Sequence, residues 1–200
     1  MTTPTRAEYR RRFADLDTSN VADVLDEMGI FDQGLDPSFA PYPAGSAKLA
    51  GFAYTIRGQM TPFPMGGDAE KMRACQGIAD DEVSVWAGDG EGTCYFGELI
   101  AIGMKERGCV GALVDGGVRD IRWFEYHGFP VFARYRSPVQ SIGLRSTPGS
   151  RSCAPRCSRP VTAHPGRRAG GCAGRLRPDP QRYPDLPRTL ARRRDLRAGP

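Results

Sequence analysis

The order of polar and apolar positions in the first 145 residues predicts alternating helices and strands. The sequence predicts helices over residues 4–13, 20–28, 65–78, 97–107 and 120–127, and in the second of them Val21, Val24, Leu25 and Met28 fall on one face at helical spacing. Apolar alternation or short apolar runs predict strands over residues 49–58, 82–86, 109–115 and 130–134. The run CVGALVD at 109–115 does not alternate, which is typical of a strand buried on both faces. Repeated strand–loop–helix units of this kind indicate an α/β protein.

Residues with known preferences for helix ends mark the first two helices. Thr3 is a candidate cap of the first helix, with Pro4 at its first position. Thr18 or Ser19 can cap the second helix. These limits are predictions from local sequence alone.

The pattern changes abruptly after about Leu144. Residues 151–200 contain eight Pro, a single aromatic residue (Tyr183) and only scattered Val and Leu, without a helical or strand period. Such a segment buries too little apolar surface to offset the entropy of ordering it. We therefore expect an α/β domain over residues 1–145 and an Arg- and Pro-rich, disordered tail over residues 146–200.

Charge divides along the same line. Residues 151–200 carry thirteen Arg, no Lys and three acidic residues, a net charge of +10, whereas residues 1–150 carry 15 basic and 20 acidic residues, a net charge of −5. The mildly acidic body argues against nucleic acid as the main partner. No stretch approaches the ~18 consecutive apolar residues of a membrane helix, and the polar start MTTPTRAEYRRRF does not resemble a secretory signal. Six cysteines without a familiar disulfide rhythm complete the expectation of a cytoplasmic protein.

Two strand-to-helix turns carry the candidate chemistry. The first is GDGEGTCYFGELI at 88–100 and the second is DGGVRD at 115–120, where Gly116 and Gly117 are expected to turn the chain from strand to helix. Twenty residues separate Glu98 from Arg119, which is enough for one helix and one strand. Both turns should therefore open on the carboxyl edge of the sheet, where ligands of open α/β sheets bind.

Each of these residues offers specific chemistry. The N–H groups at the start of the helix at Gly97 suit a carboxylate. Arg119 presents a planar, charged fork to a carboxylate or enolate oxygen. Asp120 is a hard oxygen ligand suited to Mg²⁺ or Mn²⁺, and Glu98 could orient a metal-bound water or act as a base.

A purely structural interpretation of the same residues stays open at this point. Asp120 could simply cap a helix, Arg119 could be a solvated surface charge, and Glu98 could be an ordinary first-turn acid. A dinucleotide-binding fold is disfavoured, because the glycine loop lacks a well-placed GxGxxG motif and a following acidic residue.

Several segments resemble one known family. The stretches GELI at 97–100, GALVDGGVRD at 111–120 and HGFPVFARYRSPVQSIG at 127–143 resemble the 4-hydroxy-4-methyl-2-oxoglutarate aldolases and their relatives, the regulator of ribonuclease E activity A-like (RraA-like) proteins. LDTSNVADVLDEMG at 16–29 and LAGFAYTIRG at 49–58 are similar to the opening helix and strand of that family. The resemblance covers residues 14–143 and implies a β/β/α domain of the swivelling type.

The resemblance also implies roles for individual residues. Aldolases of the family carry an acidic residue, twenty intervening positions and then Arg-Asp, a pattern that Glu98, Arg119 and Asp120 fill here. The backbone of Gly97, Glu98, Leu99 and Ile100 would hold the substrate carboxylate, with Arg119 contacting substrate and Asp120 binding the divalent metal.

The implied activity is that of a class II aldolase. Such an enzyme cleaves a small 2-oxo acid to pyruvate with the help of Mg²⁺ or Mn²⁺, with oxaloacetate decarboxylation as a side activity. The alternative within the family is a non-catalytic regulator that binds a ribonuclease. A homotrimer or hexamer is the implied assembly.

Residues 146–200 depart from the family. The strands and last helix that relatives carry there are missing or replaced by Arg-, Pro-, Gly- and Ala-rich sequence. We hypothesise a reading-frame error in a GC-rich gene. Retranslation of the nucleotide sequence tests this idea, and finding no family-like strands in any frame would remove it.

Overall fold

The protein is described by a computed structural model over residues 3–31, 33–45, 48–60, 67–87, 92–140 and 144–148. Within these ranges the chain forms five helices and seven strands. The helices are α1 (Arg6–Ala14), α2 (Thr18–Glu27), α3 (Gly67–Cys75), α4 (Glu98–Lys105) and α5 (Ile121–Tyr126). The strands are β1 (Ala40–Tyr42), β2 (Phe52–Met60), β3 (Glu82–Ala87), β4 (Cys94–Phe96), β5 (Gly111–Val118), β6 (Val131–Arg136) and β7 (Leu144–Pro148).

The strands form one mixed sheet in the order β1-β6-β5-β3-β2-β7, with β4 also paired to β5. The central pairs are parallel, and the two outer pairs, β1 with β6 and β2 with β7, are antiparallel. The predicted α/β class is thereby confirmed, because helices connect the parallel strands as crossover units do.

Apolar side chains of β5 divide between the two faces of the sheet. Ala112 and Val114 belong to the large core that includes buried residues of α3, α4 and α5, whereas Leu113 packs with Leu35 and Phe39 on the opposite face. This arrangement buries β5 on both sides, as the unbroken apolar run 109–115 predicts.

Strand β4 takes the place of β3 beside the second half of β5. Strand β3 pairs with β5 from Gly111 to Asp115, and β4 then pairs with Gly117 and Val118. A register shift on the β6 side of β5 falls at the same point, between Val114 and Gly117. Such irregularities change the direction of a strand locally, and here the change lies next to the candidate site.

Gly116 and Gly117 belong to β5 and do not form the expected turn, so that prediction was wrong. A Cβ atom at Gly116 would collide with the ring of Tyr95 on β4. The absence of a side chain at these glycines therefore allows neighbouring strands to approach closely. A pair of glycines in the sequence does not distinguish this requirement from a turn.

Other boundaries also differ from the predictions. Thr5, and not Thr3, caps α1, because its side chain accepts a hydrogen bond from the Glu8 N–H at 3.2 Å. Helix α2 begins earlier than predicted, with Asp17 at the cap position. The Asp17 side chain makes no capping hydrogen bond, so the preference of polar side chains for cap positions does not locate the start of α2.

Three strands form where the sequence shows no strand period. Strand β1 lies within the proline-containing connection, β4 precedes α4, and β7 pairs antiparallel with β2. Strand β7 crosses the boundary placed at residue 145. The remaining tail, residues 149–200, lies outside the described residues, as do residues 88–91 of the glycine loop. The expected disorder of the tail stays a prediction.

Among the helices of the described ranges, none has the length and apolar character required to cross a bilayer.

Aromatic packing between β4 and the helices offers a test of the fold. Phe96 is fully buried and contacts the rings of Trp86, Phe124 and Phe129 at centroid distances of 5.9, 5.9 and 6.2 Å. Phe96→Ala should lower the free energy of unfolding by about 3–5 kcal/mol, because it leaves a cavity where three rings meet. Urea unfolding measures this change. Tyr126→Ala is the matched control, since Tyr126 is 86% exposed and its loss should change stability by less than about 0.5 kcal/mol; equal losses would contradict this account of the core.

Candidate functional site

Residues 97–98 of the first candidate turn and 119–120 of the second lie side by side at the carboxyl ends of β4 and β5. Parallel pairing aligns Phe96 with Val118. The backbone N–H of Arg119 donates to the carbonyl oxygen of Phe96 at 3.1 Å, which extends this contact beyond the strands. The spacing between Glu98 and Arg119 predicted this juxtaposition, and α4 and β5 fill the interval.

Asp120 connects the two turns. Its Oδ2 accepts a hydrogen bond from the backbone N–H of Glu98 at 3.0 Å and lies 3.4 Å from Nε of Arg119. Asp120 holds the cap position of α5, yet its side chain makes no capping hydrogen bond. The carboxylate is therefore directed to the neighbouring turn and not to its own helix.

The backbone of Asp120 is in the left-handed region, with φ 61° and ψ 37°. Residues other than glycine rarely adopt this conformation, although Asp and Asn tolerate it better than most. Strain of this kind costs of order 1–3 kcal/mol and tends to occur at functional sites. The conformation positions the carboxylate that contacts Glu98 and Arg119.

Gly97 allows this close contact. A Cβ atom at position 97 would lie 2.7 Å from Oδ2 of Asp120 and 2.9 Å from Cγ of Arg119. The φ of Gly97 is −151°, an extended value that any residue can adopt. The need for glycine therefore comes from space and not from backbone strain.

The first turn of α4 places its residues in different surroundings. Glu98 is exposed, and no described residue binds its carboxylate; Leu99 is 69% exposed, and the Ile100 side chain is buried in the core. The N–H of Glu98 is already bound to Asp120. The N–H groups of Leu99 and Ile100 have no intrahelical acceptor, since they belong to the first turn.

A surface cleft of about 440 Å³ opens beside Asp120. It is lined by residues 118–121 at the end of β5 and 136–138 at the end of β6. Of the predicted site residues, Arg119 and Asp120 line this cleft, each with 37% of its side chain exposed. Residues 97–100 do not line it, although Glu98 is joined to Asp120 by its backbone.

The end of β6 forms half of the cleft, although no pattern in the sequence predicted a role for it. Ser137 donates from its hydroxyl to the carbonyl oxygen of Gly92 at 2.5 Å, and the hydroxyl of Tyr135 accepts from the N–H of Gly92 at 2.9 Å. These two bonds fix the segment that leads into β4. Because β6 runs parallel to β5 and lies next to it, its carboxyl end could have been expected at the ligand-binding edge of the sheet.

Few metal-ligating side chains converge in the part of the chain that the structure describes. No group of three or more His, Cys, Asp or Glu residues occurs there. Asp120 has one oxygen, Oδ1, that accepts no hydrogen bond from a described residue. One carboxylate of this kind fits Mg²⁺ or Mn²⁺, which keep several waters and substrate oxygens, better than a closed structural zinc site.

Cys94 lies close to the site but is a poor nucleophile. Its thiol is buried on β4 and contacts the carbonyl oxygen of Phe96 at 3.1 Å. Burial raises the pKa of the Cys94 thiol, because desolvation disfavours the thiolate. The reactive form is therefore suppressed at neutral pH.

Comparison with known proteins gives one family and several similar folds. The family model described as RraA-like, Aldolase/RraA, matches residues 18–167. A structure described as one of novel cellulases from microbes of the gut ecosystem has a TM-score of 0.75 at 20% identity, over 98% of this chain and 88% of that chain. An uncharacterized protein of Pseudomonas syringae pv. tomato str. DC3000 has a TM-score of 0.58 at 21% identity, over 74% and 68% of the two chains. RraAS2 of Streptomyces coelicolor, described as an unusual member of the RNase ES inhibitor RraA family, has a TM-score of 0.56 at 20% identity, over 74% and 72%. At these identities the likeness is one of fold.

The close approach at Gly97 can be tested by adding a single methyl group. Gly97→Ala should destabilise the protein by about 1–3 kcal/mol, because the Cβ atom displaces Asp120 and Arg119. Gly103→Ala, within the helix that Gly97 precedes, is the control. Its Cβ atom would meet nothing closer than 3.7 Å, so it should stabilise the protein by about 0.5–1 kcal/mol. Chemical denaturation of both variants measures the free energy of unfolding. An unchanged value in Gly97→Ala would contradict the close contact of Gly97 with Asp120 and Arg119.

Proposed function

This chain belongs to the RraA-like (Aldolase/RraA) family, and from that membership and the cleft at Asp120 we propose that it is a divalent-metal-dependent aldolase. The proposed reaction is retro-aldol cleavage of 4-hydroxy-4-methyl-2-oxoglutarate, or a similar 2-oxo acid, to pyruvate. Oxaloacetate decarboxylation is the proposed side activity. The family includes aldolases and ribonuclease E inhibitors, so membership alone does not decide between these functions.

The observation that carries the proposal is the conformation and contact of Asp120. Asp120 is left-handed, lines a cleft and leaves its own helix uncapped; its Oδ2 binds the Glu98 N–H and lies beside a guanidinium, whereas its Oδ1 accepts no hydrogen bond from a described residue. Asp120 would hold Mg²⁺ or Mn²⁺ through the carboxylate oxygen that no described residue occupies. Such an ion supplies Lewis acidity to the keto and carboxylate oxygens of a 2-oxo acid.

The remaining roles are assigned from the charges of the cleft and from the backbone donors of the adjacent helix start. Arg119 places positive charge where the keto oxygen becomes an enolate oxygen, as the bond between C3 and C4 breaks and its electrons pass to the pyruvate fragment. The substrate carboxylate is proposed to lie against the start of α4 at residues 97–100, where the N–H groups of Leu99 and Ile100 are available.

Glu98 is the proposed source of the base. The hydroxyl proton on C4 must leave as the new carbonyl forms, and a water oriented by the exposed Glu98 carboxylate would accept it. Protonation of the enolate at C3 then yields pyruvate. This assignment depends on Glu98 turning toward the cleft, which its exposed position at the helix start permits.

We expect the chain to work as a homotrimer or hexamer, as the family resemblance implies. Light scattering of the purified protein measures the assembly directly. A monomer at working concentration would contradict this part of the proposal.

Removal of the guanidinium at position 119 tests the proposed site. The wild-type chain should release pyruvate from 4-hydroxy-4-methyl-2-oxoglutarate with Mg²⁺ and lose that activity with a chelator. Arg119→Ala should lower kcat by a factor of about 100 or more, because the developing oxyanion loses its charged donor. A coupled assay with lactate dehydrogenase measures pyruvate release.

Arg122→Ala is the matched control, since Arg122 is an exposed arginine on α5 that does not line the cleft. It should retain wild-type turnover. Equal activity of the Arg119→Ala variant and the wild type would show that the site is misplaced. A wild-type chain that releases no pyruvate with either Mg²⁺ or Mn²⁺ would contradict the enzyme proposal and favour a ribonuclease-binding regulator.

A further inference from the structure

Two arginines on β6 have opposite surroundings. The guanidinium of Arg134 donates to Asp115, donates to the Ser38 hydroxyl at 2.7 Å and lies 3.5 Å from Asp36. The pKa of Asp36 is lowered, first by the hydrogen bonds from Ser38 and then by the charge of Arg134. Arg134 is thus fully engaged in holding a surface turn to the sheet.

Arg136, two residues further along, is exposed, and no described residue accepts a hydrogen bond or forms an ion pair with it. It ends β6, paired in register with Val118, the residue that precedes Arg119. Arg136 and Arg119 therefore line the same cleft from adjacent strands.

The backbone beneath Arg136 is held in place. The N–H of Ser137 donates to the carbonyl oxygen of Val118 at 3.1 Å, and the Ser137 hydroxyl is bound to Gly92. The base of the Arg136 side chain is consequently fixed relative to Arg119, while its guanidinium is solvated. A guanidinium group in this position can bind a planar anion such as a carboxylate through two hydrogen bonds.

The charges of the cleft lining do not balance. The lining contains two guanidinium groups and one carboxylate, and that carboxylate already lies 3.4 Å from Arg119. The positive charge of Arg136 is left over. An anionic group of the ligand would neutralise it, in addition to the carboxylate that the 2-oxo end of the substrate carries.

We propose that Arg136 binds the second carboxylate of a dicarboxylic 2-oxo acid and so selects dianionic over monoanionic substrates. This inference rests on the proposed function, which places the 2-oxo end of the substrate at Arg119 and Asp120. Arg136 is a specificity residue under this proposal and takes no part in bond cleavage.

Binding of two matched, uncleavable ligands tests the proposal. The ligands 2-oxoglutarate and 2-oxopentanoate have the same carbon chain, but only the first carries a second carboxylate, and neither has the C4 hydroxyl that cleavage requires. Isothermal titration with Mg²⁺ should show that the wild-type chain binds 2-oxoglutarate about 10- to 100-fold more tightly, the range expected for a charge-assisted hydrogen-bonded pair. Arg136→Gln should remove this preference by weakening 2-oxoglutarate alone, and Arg136→Lys should restore part of it.

Arg122→Gln removes the same charge outside the cleft and should keep the wild-type preference. The proposal is overturned if Arg136→Gln weakens both ligands equally, if it weakens neither, or if the wild-type chain does not prefer 2-oxoglutarate. Thermal unfolding should be unchanged in the Arg136 variants, because the side chain is exposed. Since the ligands are never cleaved, a chain that binds them as expected but releases no pyruvate would contradict the proposed cleavage reaction, while the role of Arg136 in binding the second carboxylate would still stand.

Discussion

The parallel pairing of β4 with the end of β5 is the constraint on which the site depends. It brings the start of α4 against the end of β5, where the carboxylate of Asp120 accepts from the Glu98 N–H at 3.0 Å. The pairing requires glycine at positions 97 and 116, since side chains there would occupy the space between the strands and turns. Glycine at these positions therefore serves packing across the sheet edge.

The hydrogen bonds and ion pairs around the site determine which of its charged groups can bind a ligand. One oxygen of Asp120 is committed to the fold, whereas the other has no described donor and can meet a ligand. Arg134 is neutralised by Asp115 and Asp36, but Arg136 receives no such partner among the described residues. Two arginines on one strand thus differ because only one of them faces carboxylates contributed by distant segments.

The sequence predicted the long elements well and the short ones poorly. The helices α1 to α5 and the strands β2, β3, β5 and β6 were all expected, because each has at least six residues, enough for cap residues, apolar spacing or an unbroken apolar run to show. Strands β1 and β4 have three residues each, too few for any period, and form because a neighbouring strand offers backbone hydrogen bonds. Gly116 and Gly117 of β5 were wrongly predicted to form a turn, since glycine is favoured both in turns and where neighbouring strands approach closely.

By itself the sequence determined the α/β class, the doubly buried β5, the family resemblance and the positions of Glu98, Arg119 and Asp120 at one sheet edge. The resemblance comes from the matching motifs, and the other features follow from local apolar patterns and from the spacing of elements along the chain. Only the tertiary structure decided that the Asp120 side chain turns to α4, that the end of β6 completes the cleft, and that Arg136 stays unpaired within the described residues. Such contacts join residues that are far apart in sequence. Hydrogen bonds between them depend on donor–acceptor distances, which cannot be predicted from the local order of residues.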